Sequence, residues 1–317
     1  MRRREKNGPT GGTCKFPNKI IEPSGPLGQL ISIAEKQSEI SLERFFGLVN
    51  EFAREKVRQR TDLEQMENFI RGTYSRFSLA QREKFFTMLY NAFAETYDEH
   101  MIATGHYEAI KNVLFYAGPH LRTPILDITA GTGEVIRYVM DFMATADMMR
   151  ESEVMQRKFG SLLFALPEVS NGKIYANEIS SKMLEKAREK LRGNGVTFTD
   201  YSAYALPDEY PCFRTVICSQ TFHLIPDEDK VMMVRAIRNA LAHGGIAVVM
   251  EEDPFRISPT PHIEPISLFI RSVAAPIKHR AKLSGLFTTN GFERLEERAV
   301  YPIDSEHVMR LHLFRKI

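Results

Sequence analysis

Little in this chain points to metal, disulfide or membrane chemistry. Its three cysteines among 317 residues, Cys14, Cys212 and Cys218, show no metal-ligand spacing and no disulfide framework. A reduced, cytoplasmic setting is the expectation. Cys212 and Cys218 flank or lie in an apolar run, where a cysteine usually acts as a small hydrophobe. No uninterrupted apolar stretch reaches the length of a membrane span. No apolar segment follows Arg2-Arg3-Arg4, so no secretory signal and no membrane partner are expected. Charge of one sign is also missing. The formal net charge is +2 with 26% charged residues, which excludes a global basic field for nucleic acid.

The most informative stretch runs from Ile125 to Glu134, Ile-Leu-Asp-Ile-Thr-Ala-Gly-Thr-Gly-Glu. An apolar run ends in Asp127, turns through Gly131 and Gly133, and enters an amphipathic segment over Val135–Met143. That reads as strand, tight loop and helix N-terminus. Glycines allow close backbone approach, and free N–H groups at a helix start attract negative groups. A dinucleotide fingerprint needs a third glycine three residues after Gly133, and Ile136 stands there. A nicotinamide-dependent dehydrogenase is therefore disfavoured.

A second element follows at 173–177, ending in Asn177-Glu178-Ile179-Ser180-Ser181-Lys182-Met183-Leu184 and opening a helix. With it, the chain resembles the class I S-adenosylmethionine-dependent methyltransferases, small-molecule branch. Glu178 to Leu184 matches that branch position by position. Val196 to Pro207 is similar to the third strand and adenine turn, and Phe213–Ser219 to strand four. Phe222-His223-Leu224-Ile225-Pro226-Asp227 is similar to the signature after strand four, and Gly244–Glu251 to strand five.

The expected architecture follows. Short strands alternate with helices from Pro124 onward, which argues for a mostly parallel α/β sheet. Strands are expected at 124–128, 173–177, 196–199, 213–219 and 245–251. Two more, at about 294–302 and 307–315, lie too close for a crossover and must pair antiparallel. The whole is a Rossmann-like, seven-stranded, mostly parallel sheet with a terminal antiparallel hairpin, plus an N-terminal helical extension. Residues 1–27 are expected to be irregular or disordered, 28–120 a helical cap, and 121–317 the catalytic domain. Within the cap, helices are predicted over 27–57, 63–77, 79–97 and 105–116, with Ser78 and Gln81 forming a capping box. The Met-rich stretch 147–172 reads as a longer helix or an inserted helix and loop.

The resemblance implies S-adenosylmethionine as cofactor and no metal. It also implies a cofactor site of Asp127, Thr129, Ala130, Gly131, Gly133, Glu178, Ile179, Met183, Ser202, Ala203, Ser219 and Gln220. Glu178 is placed to accept the ribose hydroxyls; its bland alternative is a solvated glutamate at a helix N-terminus. Asp127 orients the loop or meets the ammonium group, or caps the turn through its own side chain. Thr129 stands where the family has its first glycine. Ser202 stands where the family commonly has an aspartate for the adenine amino group, and Asp200 is an equal candidate for that role. His223, His262 and Tyr97 are catalytic candidates. The alternative reading of His223 is a packed or hydrogen-bonded histidine, that of His262 an incidental residue in a proline-rich loop with Glu264, and that of Tyr97 simple helix packing. Phe45, Phe46, Phe85, Phe86 and Phe93 either cap an apolar pocket or join helices to the core.

The implied activity is in-line methyl transfer to a small-molecule acceptor. The alternative is a cofactor-binding regulatory protein without transfer activity. Nucleic-acid methylation is disfavoured, because Ser219-Gln-Thr-Phe222 stands where base-amino methyltransferases carry Asn-Pro-Pro-aromatic. The acceptor atom, the need for a base and the oligomeric state are not legible.

Overall fold

The computed structural model describes residues 40–54, 60–163, 173–210, 212–253, 268–269, 272–273, 280–303 and 308–317. Contacts divide the chain into Met1–Ile40 and Ser41–Ile317; the account below concerns the second unit. The expected tail 1–27, the loop carrying His262 and Glu264, and the end of the Met-rich stretch lie outside the described residues.

Seven strands form one sheet in the order β3-β2-β1-β4-β5-β7-β6. They are β1 (Ile125–Asp127), β2 (Ile174–Asn177), β3 (Val196–Thr199), β4 (Phe213–Ser219), β5 (Leu241–Asp253), β6 (Phe292–Pro302) and β7 (Val308–Lys316). The first five pair in parallel, and β7 pairs antiparallel with both β5 and β6. Strand β5 starts four residues earlier than its apolar run, because Leu241 already pairs with Phe213 before a register shift.

The strands alternate their side chains between two covered faces. One face carries Ile125, Ile217, Val248 and Leu313 against α4 (His106–Ala117) and α5 (Glu134–Glu151), through Val113, Leu114, Ile136 and Val139. The other carries Leu126, Val216, Val249 and Phe314 against α8 (Asp227–Ala240) and α9 (Arg280–Thr288), through Val234, Ile237 and Phe287. The helix after the first loop runs well past Met143, since Met143 and Ala146 continue its buried stripe. A further helix, α6 (Glu153–Leu163), follows it.

The N-terminal part contributes α1 (Leu42–Arg54), α2 (Arg60–Tyr74) and α3 (Leu79–Ala103). Helix α3 begins at the expected capping box, with both reciprocal bonds between Ser78 and Gln81 present. It continues six residues beyond Tyr97. Its 25 residues give a rod of about 37 Å. Phe45, Tyr74, Phe77, Phe85 and Phe269 knit these helices together, with Phe85 and Phe269 rings 4.7 Å apart.

Candidate active site

The carboxyl ends of β1, β2 and β4 meet where an open α/β sheet binds its ligands. The loop after β1 is held from both sides. Ala130 N–H donates to Asn177 O at 2.9 Å, and Gly131 N–H donates to Glu178 Oε2 at 2.9 Å. Gly131 has φ +55° and open space where a Cβ would stand, so its backbone faces the cavity bare. Gly133 serves another purpose. A Cβ there would sit 2.9 Å from Leu191 Cδ1 and 3.1 Å from Ala187 Cβ, so this glycine lets the loop rest on α7 (Ser181–Lys190).

Several polar groups converge on this floor. Glu178 accepts N–H bonds from Gly131 and from Ser180 (2.8 Å), which leaves further lone pairs on both oxygens. Burial pushes its carboxyl above the ordinary range, against the pull of those two N–H groups. Asp127 is fully buried, and burial raises its carboxyl to about 7; the Thr129 N–H opposes this and the Glu178 charge adds to it. Its Oδ2 and the Oγ of Ser219 are buried without a hydrogen-bond partner. Thr129 bonds Thr221 hydroxyl to hydroxyl at 2.8 Å, joining the turns after β1 and β4.

Above the floor lies a cavity that opens to solvent. Phe86, Tyr90 and Tyr97 from α3 form one wall, with Tyr204, Ile225 and Met233 beside them. Burial pushes the Tyr90 and Tyr97 phenols upward, so both stay protonated at neutral pH. Polar clasps hold α3 to the sheet domain. Arg82 meets Asp229 at 2.6 Å, both side chains nearly buried. Glu83 accepts from the Ser202 hydroxyl. Asn91 Oδ1 accepts from Ser180 Oγ (2.8 Å) and Lys182 N–H (3.0 Å), capping α7. Asp98 accepts from Thr132 Oγ1 and from Tyr107, and pairs with Lys190 Nζ at 2.9 Å. Burial would raise Asp98, but those three donors hold it below its ordinary value.

Of the residues expected from sequence, Thr129, Gly131, Glu178, Ile179, Met183, Ala203, Ser219, Gln220 and Tyr97 line this cavity. Asp127, Ala130, Gly133 and Ser202 support it from behind or beside. His223 does not line it. Its Nδ1 lies 2.8 Å from Glu251 Oε2, and Glu251 Oε1 also accepts from the Thr221 and Phe222 N–H groups at 2.8 Å each. His223 is thus packed into a buried clamp on the turn after β4. Asp200 is exposed and, like Ser202, does not line the cavity.

Sequence reasoning missed three participants. Asn177 clips three strand ends together: its amide donates to Ile128 O and Tyr201 O and accepts from Thr199 Oγ1 and Tyr201 N–H. The asparagine before an acidic strand end was the available signal. Glu83 comes from a helix 119 residues upstream of its partner Ser202, Tyr90 lines the cavity from the same helix, and no local motif marks either.

Residues 159–245 match a family model described as a methyltransferase domain. With the sheet order and its terminal hairpin, this match supports an S-adenosylmethionine-dependent methyltransferase with S-adenosylmethionine as its cofactor. Among solved structures, the chain is similar to an S-adenosylmethionine-dependent methyltransferase from Mesorhizobium loti. Identity is 15%, 64% of this chain and 95% of that chain are covered, and the TM-score is 0.45. It is also similar to DhpI in complex with S-adenosylhomocysteine, at 14% identity, 73% and 94% coverage and a TM-score of 0.46. Both likenesses are remote, and no activity is transferred from them. Curated proteins yield no match. Among the described residues, no helix is long and apolar enough to cross a membrane.

Proposed function

We propose that this chain transfers a methyl group from S-adenosylmethionine to a small-molecule acceptor by in-line displacement. The observation that carries this reading is one shared cavity. A carboxylate with spare lone pairs and a bare glycine turn lie at its floor, and an aromatic wall faces them. The cofactor supplies an electrophilic methyl on a sulfonium cation.

The residues present fit such a molecule. Glu178 accepts from the ribose hydroxyls, and the turn at Gly131 lies against the amino acid portion. Asp127, buried below the turn with an unpartnered oxygen, adds negative charge for the ammonium group. Ile179, Met183 and Ala203 continue the surface toward the base. Phe86, Tyr90 and Tyr97 exclude water and present aromatic faces to a cation. Methyl transfer asks chiefly for alignment and water exclusion. Tyr97, protonated in this wall, acts as a hydrogen-bond donor to the acceptor rather than as a base. His223 acts through Glu251 as a positioning residue for the turn that bears Thr221. The helices within 28–120 serve as a cover over the crevice.

Calorimetry with S-adenosylhomocysteine and with nicotinamide dinucleotides tests the reading. Tight binding of the first is expected; binding of a dinucleotide alone sinks it. Loss of cofactor methyl with a panel of small acceptors then tests transfer, and binding without turnover across the panel favours the regulatory alternative. Proteolysis within 28–105 is expected to slow when S-adenosylhomocysteine is added. Equal cleavage with and without ligand refutes the cover.

A further inference from the structure

The geometry points to Glu83, on helix α3, as the residue that reads the exocyclic amino group of the cofactor's adenine; this rests on the cofactor reading above. S-adenosylmethionine is an extended molecule whose parts run amino acid, sulfur, ribose, base. The strand order β3-β2-β1-β4 lays a ruler beneath it. The glycine turn follows β1 and Glu178 ends β2. With the amino acid on the first and the ribose on the second, the base continues toward β3 and the turn that follows it.

Ser202 and Ala203 sit in that turn. The hydroxyl of Ser202 gives its proton to Glu83 and accepts from Tyr204 N–H at 3.2 Å, and Ser202 itself does not line the cavity. The adenine amino group is a donor and needs an acceptor with a spare lone pair. Asp200 is exposed and off the cavity wall. Glu83 lines the cavity, and Ser202 fixes one of its oxygens while the other retains its lone pairs. None of the ion pairs among the described residues involves Glu83, and burial raises its carboxyl. A half-buried carboxylate held by one neutral hydroxyl keeps acceptor capacity on its cavity side, which a polarised amino group can use. Because Glu83 belongs to the covering helix, the base would bridge cover and floor. Cofactor binding would then tighten the attachment of α3 at its N-terminal half.

The test measures a preference rather than activity. Wild-type chain is titrated with S-adenosylhomocysteine and with S-inosylhomocysteine, whose base carries an oxygen in place of the amino group. Wild type is expected to prefer the adenine ligand at least tenfold. Glu83→Gln keeps the bond from Ser202 but offers an amide that can also donate, so the preference should fall to about threefold or less. Asp200→Asn should keep the wild-type preference. An unchanged preference in Glu83→Gln, or its loss in Asp200→Asn, overturns the assignment to Glu83 while leaving the cofactor reading intact. Failure of wild type to bind S-adenosylhomocysteine at all overturns both.

Discussion

The floor and the wall of the cavity are built on different principles. The floor is made of strand ends: backbone N–H groups, Glu178, Asp127, Asn177 and Ser219 within short loops. The wall is one long helix, apolar toward the cavity through Phe86, Tyr90 and Tyr97 and fastened elsewhere by Arg82, Glu83, Asn91 and Asp98. The floor stores unsatisfied polarity, and burial raises its carboxylates. The wall's polar groups are instead largely consumed in holding it to the sheet. In the proposed function, ligand recognition by charge falls to the floor and water exclusion to the wall. Glu83 belongs to both, since it is a clasp that also faces the cavity.

The sharpest break of that contrast comes from the wall's buried ion pair. Arg82→Ala leaves the buried Asp229 without its ion-pair partner and beside Glu228, and is expected to cost about 3–5 kcal/mol of stability in chemical denaturation. A loss below 1 kcal/mol would mean that the aromatic contacts alone hold the wall.

Asp127→Asn probes the floor through pH. The folded-state carboxyl titrates near 7, above its ordinary value, so between about pH 4 and 7 the native state binds more protons than the unfolded chain. Its unfavourable contribution therefore grows as pH rises through that window and is constant above it. Relative to wild type, Asp127→Asn is expected to gain about 1–3 kcal/mol between pH 4 and pH 8. Thermal melts across that range check this, and a pH-independent difference would contradict it.

Glu178→Ala is expected to weaken S-adenosylhomocysteine binding by about 1–3 kcal/mol, the scale for hydrogen bonds to a charged group. Unchanged affinity by calorimetry would remove the ribose assignment. The smallest effect is Asn91→Ala, which takes an acceptor from the α7 N-terminus and is expected to lower stability by about 1 kcal/mol. A ligand affinity that fell more than the stability would move Asn91 from clasp to binding residue.

The floor was legible because its parts are local. Asp127, Gly131 and Glu178 each stand within a strand–turn–helix unit whose spacing is visible in the chain. Even there, sequence could not separate Gly131, bare to the cavity, from Gly133, which packs on Ala187 and Leu191. It could not choose between two readings of His223 either; that choice depended on Glu251, 28 residues away. The wall was hardly legible. Its aromatic faces follow helical spacing, but whether Phe86 faces a cavity and Phe85 faces the α1–α2 helices depends on where α3 docks.

By itself, then, the sequence determined the alternation of strands and helices, the antiparallel end of the sheet, the Ser78 capping box and the loops that could receive a cofactor. These rest on periodicity, capping and turn chemistry, which act within a few residues. Only the tertiary structure decided that Glu83 meets Ser202 across 119 positions, that Asn91 caps α7, and that Asp98 joins Thr132 and Lys190. Such pairings arise where burial forces distant polar groups to find partners, and no local pattern records which partner is nearest.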